Sequence, residues 1–257
     1  MKLKQKKIIS LTSAFISFFC IYLVYEKIDS NNFFKALLSV DYIYIFLAGI
    51  LLYVTIWLRA LRWNIILGGK NNLYRLFKIQ MIGYFVNYTL PLRAGEFLKS
   101  ILLGKKSNMS KSYVFGSVII ERFLDMFGLF FMMIVGIYVS PVKVIANISI
   151  YWYLIIVVLI LCFFVFLFNF LKIVRINIFE NLIKNFVLAY DSFSLHQFIS
   201  STLISIAIWI IYWINIDIIF HAFSIEADYY HSLIVLIVSS FALSIPSLPG
   251  AIGTFHL

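Results

Sequence analysis

The sequence has few of the residues that soluble domains use for their surfaces. Only 12% of its 257 residues are charged, whereas 63% are hydrophobic and 19% are aromatic. Soluble globular domains carry about 25% charged residues, so this composition excludes an ordinary water-soluble fold. Cysteine is also scarce. Cys20 and Cys162 each lie inside an apolar run, which is typical of small buried side chains and predicts neither a disulfide framework nor a metal site.

The sequence also lacks the motifs of soluble catalysis. Its four histidines are scattered without metal-ligand spacing, and it contains no glycine-rich phosphate loop and no Ser-His-Asp arrangement. We therefore expect no cofactor and no metal ion. The formal net charge is +10, but the basic residues punctuate apolar runs and form no continuous patch. This distribution argues against a nucleic-acid partner.

Long apolar runs make up most of the chain. Because a spanning helix needs roughly 20 mostly apolar residues, we predict an all-α polytopic membrane protein of about six to seven transmembrane helices plus a re-entrant helical hairpin. Residues 1–257 then form a single integral membrane domain. The predicted spans lie near 8–25, 42–58, 112–139, 150–171, 198–220 and 230–246, and the re-entrant hairpin at 79–104. The first run lacks a small-residue cleavage pattern, so we interpret it as a retained helix rather than a signal peptide.

The distribution of lysine and arginine predicts which side each loop occupies. When sides are assigned by alternating the predicted spans, seventeen basic residues lie on one side and three on the other. The first group falls in the N-terminus, 59–78, 93–111 and 172–184, and the second is Lys27, Lys35 and Lys143. Since basic residues collect on the cytoplasmic side, the N-terminus is expected to be cytoplasmic in a multi-pass protein of the cytoplasmic membrane.

Two segments break the helical pattern. The run 79–91 is too short to cross and is interrupted by Gly83, Asn87 and Pro91. Irregular backbone at membrane depth persists only where protein or water covers it, which favours a hairpin that enters and leaves on the cytoplasmic side. Residues 245–253 break the last apolar run. They indicate either a second re-entrant element or, as we favour, a chain shorter than its fold.

One predicted span carries three charged residues. Glu121, Arg122 and Asp125 are spaced to share one flank of a helix, and each charge costs about 2.5–3.5 kcal/mol on membrane-insertion scales. Their sum is −1, so a further cation is needed nearby, and Arg93 or Arg59 is the candidate. A functional site and an internal salt-bridge network that holds helices together are both compatible with this pattern.

The hairpin carries a second polar group: Asn87, Pro91, Arg93, Glu96 and Lys99. A half-helix that begins after Pro91 would direct its N–H groups at an anion, and Arg93 would add a donor matched to phosphate. The alternative is an ordinary interfacial helix. Arg59 and Arg62 form a third group, for which snorkelling at the end of a span is the simpler interpretation.

Four segments in order resemble the membrane domain of lysylphosphatidylglycerol synthases, a flippase-like family that also occurs as stand-alone proteins beside glycosyltransferases. They are 58–63 (LRALRW), 84–99 (YFVNYTLPLRAGEFLK), 121–125 (ERFLD) and 246–253 (PSLPGAIG). The resemblance runs from about residue 10 to the end. It implies a multi-helix fold with re-entrant elements that, in the bifunctional synthases, moves aminoacylated phosphatidylglycerol between leaflets.

The sequence departs from this family in several places. Lys99 stands where the family has arginine, Ala251 replaces a glycine, His256 replaces an acidic residue, and the family continues for about one more helix. The soluble acyltransferase domain of the synthases is absent. The family is associated with phosphatidylglycerol lysyltransferases, but we expect no lysyl transfer by this chain alone.

We therefore expect a protein that flips an anionic, aminoacylated or polyprenyl-phosphate-linked lipid across the cytoplasmic membrane. Two alternatives stay open. One is a lysylphosphatidylglycerol synthase-type or glycosyl transferase component with a separate soluble partner, and the other is a non-catalytic scaffold; association with a second copy is also open. The expected substrate-binding residues are Arg59, Arg62, Asn87, Arg93, Glu96, Lys99, Glu121, Arg122, Asp125, Pro249, Gly250 and Gly253.

Overall fold

A computed structural model describes residues 35, 37–89, 94–107, 109–139 and 194–244. Within these residues the protein is all-helical, as predicted. The helices are α1 (Tyr42–Ile66), α2 (Leu73–Thr89), α3 (Ala94–Lys106), α4 (Lys111–Val139), α5 (Leu195–Ala222) and α6 (Tyr229–Ser244). The predicted spans near 8–25 and 150–171 and the C-terminal segment 246–253 lie outside the described residues.

Two of the helices are long and apolar enough to cross a membrane, namely α1 with 25 residues and α5 with 28 residues. Both present large apolar side chains to their surroundings. Phe46 on α1 is 66% exposed and Leu203 on α5 is 62% exposed, an arrangement that suits contact with lipid chains. The total of six to seven spans stays a prediction.

α1 extends beyond its predicted end at residue 58 and continues to Ile66. The helix is therefore longer than the predicted membrane span, whose bounds stay a prediction. The side chains of Arg59 and Arg62 are buried. The last two turns of α1 therefore belong to the protein interior rather than to a loop.

Polar contacts at both ends fix α1 and α5 as an antiparallel pair. At one end the Asp41 N–H donates to the carbonyl of Ala222 (3.0 Å). At the other end Nε2 of Gln197 donates to the carbonyl of Ile65 (2.9 Å). Between them the buried Asn215 donates to the backbone of Ala48 (2.8 Å). The antiparallel direction of α1 and α5 agrees with the alternation of spans that we assumed when we assigned the basic residues to the two sides of the membrane.

Helices α2 and α3 form a helical hairpin that begins at Leu73, six residues before the predicted start. That this hairpin re-enters the membrane stays a prediction. At its base Nη1 of Arg75 donates to the carbonyl of Lys106 (3.3 Å). At its tip Oδ1 of Asn87 accepts from the N–H of Gly95 (2.8 Å). At a rise of about 1.5 Å per residue, the 17 residues of α2 reach about 26 Å. The hairpin is thus nearly as tall as the hydrocarbon core, which is about 30 Å thick.

α4, with 29 residues, contacts both the hairpin and α5. It packs through two apolar clusters. One contains Val118 together with Trp63, Leu76 and Leu103. The other contains Met132 together with Trp209, Leu233 and Leu236. The stretch of α4 between the clusters carries Glu121 and Asp125, so the charged residues lie between two apolar layers.

The tip of the hairpin depends on glycine at position 95. A Cβ atom there would collide with the carbonyl oxygen of Gly83 and would lie 2.6 Å from Oδ1 of Asn87. We expect Gly95→Ala to lower the free energy of unfolding by about 1–3 kcal/mol, the usual cost of overpacking. Thermal unfolding of the purified protein in detergent measures the change.

The matched control is Gly49→Ala on α1, where a Cβ would meet nothing within 4 Å. Alanine favours a helix over glycine by roughly 1 kcal/mol, so this variant is expected to be at least as stable as the wild type. Equal melting temperatures for the two variants would contradict the close packing at the hairpin tip.

Candidate functional site

Seven charged side chains from three helices form one ion-pair network. They are Arg59 and Arg62 of α1, Glu96 and Lys99 of α3, and Glu121, Arg122 and Asp125 of α4. The spacing on α4 places its two carboxylates one turn apart, which lets α1 and the hairpin meet at the same stretch of this helix.

Asp125 holds three guanidinium groups. Its Oδ1 lies 2.7 Å from Nη1 of Arg62, and its Oδ2 lies 3.0 Å from Nη1 of Arg59 and 3.1 Å from Nη1 of Arg122. Nε1 of Trp209 donates to its backbone carbonyl (3.0 Å). The Asp125 carboxylate therefore joins α1 to α4, while α5 holds the backbone of the same residue.

Glu121 joins the hairpin to the same site. Its Oε2 lies 2.9 Å from Nζ of Lys99, and its Oε1 accepts from Nε2 of Gln80 (3.0 Å) and lies 3.7 Å from Nη2 of Arg62. The side chains of Glu121 and Arg62 are 0% exposed. This half of the network is closed to the surroundings.

Glu96 forms the more open half. Its Oε1 accepts from Nδ2 of Asn87 (3.3 Å) and lies 3.2 Å from Nη2 of Arg122. Nζ of Lys99 lies 3.6 Å from its Oε2, beyond hydrogen-bonding distance. The side chain of Arg122 is 35% exposed, compared with 15% for Glu96 and 12% for Asp125. Arg122 is therefore the charged group of the network that is most accessible from outside.

Uncharged side chains complete the surroundings of the cations. Cζ of Arg59 lies 5.9 Å from the centroid of the Tyr84 ring and 5.7 Å from the centroid of the Tyr212 ring. Nη1 of Arg62 donates to Oγ of Ser205 (2.7 Å), and Nζ of Lys99 lies 4.9 Å from the Trp63 ring centroid. Cation–π contacts of this kind stabilise a charge that has left water.

The network contains more positive charge than its carboxylates neutralise. Four cations face three carboxylates, which leaves +1. Several buried donors also have no hydrogen-bond partner among the described residues: Nε and Nη2 of Arg62, Nε of Arg122 and the hydroxyl of Tyr84. Two buried oxygens, Oε2 of Glu96 and Oγ of Ser201, also have no hydrogen-bond partner among these residues. Uncompensated positive charge in a poorly solvated site favours an anion.

Eight of the twelve predicted binding residues are brought together here. The other four, Arg93, Pro249, Gly250 and Gly253, lie outside the described residues, as does Pro91 of the hairpin. The expected need for a further cation near Asp125 is met by Arg59, and also by Arg62, which the charge argument did not name. The snorkelling interpretation of these two arginines is wrong, since their side chains are 8% and 0% exposed and paired with Asp125.

Sequence reasoning overlooked four residues at the site: Gln80, Tyr84, Ser205 and Tyr212. The signal was weak because each is uncharged and fits an apolar helix. We expected the N–H groups at the N-terminus of α3 to face an anion. One of them, the N–H of Gly95, instead donates to Oδ1 of Asn87. Within the described ranges no group of three His, Cys, Asp or Glu side chains could hold a metal ion.

Comparison with known proteins identifies a membrane family to which the chain is similar. Residues 10–257 match the family model described as the lysylphosphatidylglycerol synthase TM region. Two UPF0104 membrane proteins of Methanocaldococcus jannaschii are similar to the chain. MJ1595 is 30% identical over 146 residues, which cover 54% of this chain and 43% of MJ1595. MJ1078 is 25% identical over 179 residues, which cover 66% of this chain and 74% of MJ1078. The first match thus spans less than half of that relative. No solved structure matches the chain.

Removing the charge of Asp125 tests how strongly the network holds the helices together. We expect Asp125→Asn to lower the melting temperature steeply or to abolish the folded protein, because breaking a buried ion pair leaves an uncompensated charge at a cost of about 3–5 kcal/mol. The double variant Asp125→Asn with Arg62→Gln should recover part of the loss, since it removes one stranded cation. Melting of the purified protein in detergent checks both.

The control is Asp217→Asn on α5, whose carboxylate lies 3.7 Å from a 63% exposed His221 side chain. A partly solvated pair contributes little to stability, so this variant should melt within a few degrees of the wild type. If Asp125→Asn and Asp217→Asn have the same melting temperature, the network does not stabilise the helical assembly.

Proposed function

The chain belongs to the lysylphosphatidylglycerol synthase TM-region family, and from that premise we propose that it translocates an anionic lipid headgroup across the cytoplasmic membrane. The headgroup phosphate binds at the network of Arg59, Arg62 and Arg122 around Asp125, and the acyl or prenyl chains stay in lipid. The proposed topology has six to seven spans, a re-entrant α2–α3 hairpin and a cytoplasmic N-terminus.

The observation that carries this proposal is the surplus of buried positive charge. Three guanidinium groups share one carboxylate, and three guanidinium nitrogens have no hydrogen-bond partner in the described part of the chain. Arginine presents a planar fork of donors that matches two phosphate oxygens. A phosphate-bearing lipid would supply the missing negative charge and, at the partly exposed Arg122, a missing acceptor.

The depth of the network supports translocation rather than binding at the membrane surface. Glu121 and Asp125 lie 10 and 14 residues beyond the start of α4 at Lys111, which corresponds to about 15–21 Å along the helix. A headgroup bound there would have left the interface and moved toward the middle of the bilayer. Exposed Phe85 and Phe97 (69% and 58%) give the hairpin an apolar outer face along which lipid chains could remain.

The basic residues at the hairpin base support the proposed orientation. Lys70, Arg75, Lys78, Lys105, Lys106 and Lys111 are all exposed and lie at this end of the helices. A cytoplasmic position for them accords with the usual bias of basic residues. Headgroups would then reach Arg122 from the other end of the hairpin or from its side.

A second candidate function is suggested by the family to which the chain belongs, because this family is the membrane region of a synthase. In this case the chain binds a lipid while a separate soluble transferase modifies it. Membranes that contain the chain would then form an aminoacylated or glycosylated lipid only when the soluble partner and its donor are added. Flipping of unmodified lipid in liposomes of the purified chain favours the first candidate.

Arg122 provides the sharpest test of translocation because its side chain is partly exposed and both carboxylates that it contacts have other cations beside them. We expect Arg122→Gln to reduce flipping of fluorescent phosphatidylglycerol in proteoliposomes by about tenfold or more, as the loss of one charge-assisted contact implies. The measurement is the fraction of fluorophore that dithionite reduces over time.

The matched control is Lys78→Gln, which removes an exposed cation whose Nζ lies 4.2 Å from the Tyr74 ring centroid, outside the network. It should flip lipid at the wild-type rate. A wild-type rate in the Arg122 variant, with the protein folded and inserted to the same extent, would eliminate the proposed headgroup site.

A further inference from the structure

Tyr84 on α2 places a hydroxyl group in the site without a partner. The oxygen is buried and makes no hydrogen bond to any described residue, although the residue as a whole is half-buried. Buried hydroxyl groups are nearly always hydrogen-bonded. An unpaired one beside a charged network indicates that an acceptor belongs there.

The surroundings of this hydroxyl are cationic. The Tyr84 ring lies 5.9 Å from Cζ of Arg59, and the side chain interacts electrostatically with Arg122 and Asp125. Arg59 and Arg122 both pair with Oδ2 of Asp125. Tyr84 of the hairpin and Arg122 of α4 are therefore both neighbours of the Arg59–Asp125 pair.

The remaining unpaired donor on this side is Nε of Arg122. The two Nη atoms of Arg122 already pair with Glu96 and Asp125, whereas its Nε has no partner among the described residues and can donate to a ligand. Arg122 is also the most exposed charged group of the network. A phenol and a guanidinium N–H that both lack an acceptor are suited to bind oxygens of one oxyanion.

We propose that Tyr84 is a headgroup-binding residue whose hydroxyl, together with Nε of Arg122, donates to the phosphate oxygens of a bound lipid. The ligand class is a lipid phosphate, either the diester of a phospholipid or the monoester of a polyprenyl phosphate. The inference rests on the proposed function and adds to it the side of the network at which the phosphate binds. Bound there, the phosphate connects the hairpin to α4.

The substitution Tyr84→Phe separates this role from a structural one. Phenylalanine keeps the ring that faces Arg59 and removes only the hydroxyl, which has no partner in the described part of the fold. The matched control is Tyr88→Phe, the same change one turn further along α2 at a side chain that is 63% exposed. Arg122→Gln serves as a second probe of the same site.

The experiment compares binding of phosphatidylglycerol, polyprenyl phosphate and diacylglycerol to the full chain in detergent, by native mass spectrometry with a melting curve for each variant. We expect Tyr84→Phe to weaken binding of a phosphate-bearing lipid by about tenfold, the usual effect of losing a hydrogen bond to a charged group. Its melting temperature should equal that of the wild type, Tyr88→Phe should bind normally, and diacylglycerol should not bind specifically. Comparing the two phosphate lipids identifies which ester the site prefers.

The remaining outcomes overturn the inference in distinguishable ways. Wild-type binding by Tyr84→Phe alongside weakened binding by Arg122→Gln removes Tyr84 from the site and leaves the proposed function standing. A lower melting temperature for Tyr84→Phe assigns the hydroxyl a structural role. Undiminished binding in both variants, or no specific lipid binding by the wild type, overturns the inference together with the proposed function.

Discussion

Asp125 is the group on which the arrangement of α1 and α4 depends. Its carboxylate pairs with three guanidinium groups at 2.7–3.1 Å, and none of the three can lose its proton to escape a poorly solvated site. A shift of α1 by one turn, about 5.4 Å, would move both Arg59 and Arg62 out of the positions in which they pair with Asp125. Since Glu121 anchors Lys99 one turn earlier, α4 is the helix that positions both α1 and the hairpin.

Apolar packing alone would not set this register. In lipid, the chains that surround a helix are as apolar as its own side chains, so association depends on close packing and on polar contacts between helices. The close packing is visible where Gly128 of α4 meets Trp209, and the polar contacts lie between the two apolar clusters. The network thus supplies the positional specificity that Met132, Leu233 and similar side chains cannot.

Hydropathy predicted most of the described helices because apolar length is a local property of the sequence. It could not show that the side chains of Arg59 and Arg62 are buried in the last turns of α1, because their partner Asp125 lies more than 60 residues away. Charge counting identified the need for a cation near Asp125, since an unpaired charge has a large cost. The same reasoning could not find Gln80 or Tyr84, because an uncharged polar residue in a helix carries no comparable cost and its partner is decided only by tertiary packing.

The carboxylates of the network also bear on how a translocator could release its cargo. A site made only of arginines would bind phosphate tightly and would be unstable when empty. Here Glu96 and Asp125 pair with the two Nη atoms of Arg122, which stabilises the empty state, while Nε of Arg122 has no partner among the described residues. Conduction through any polar site requires binding that is favourable enough for entry and weak enough for exit. Under the proposed function, the residual charge of +1 favours entry. Because the three carboxylates neutralise most of the cationic charge, the affinity stays low enough for the headgroup to leave.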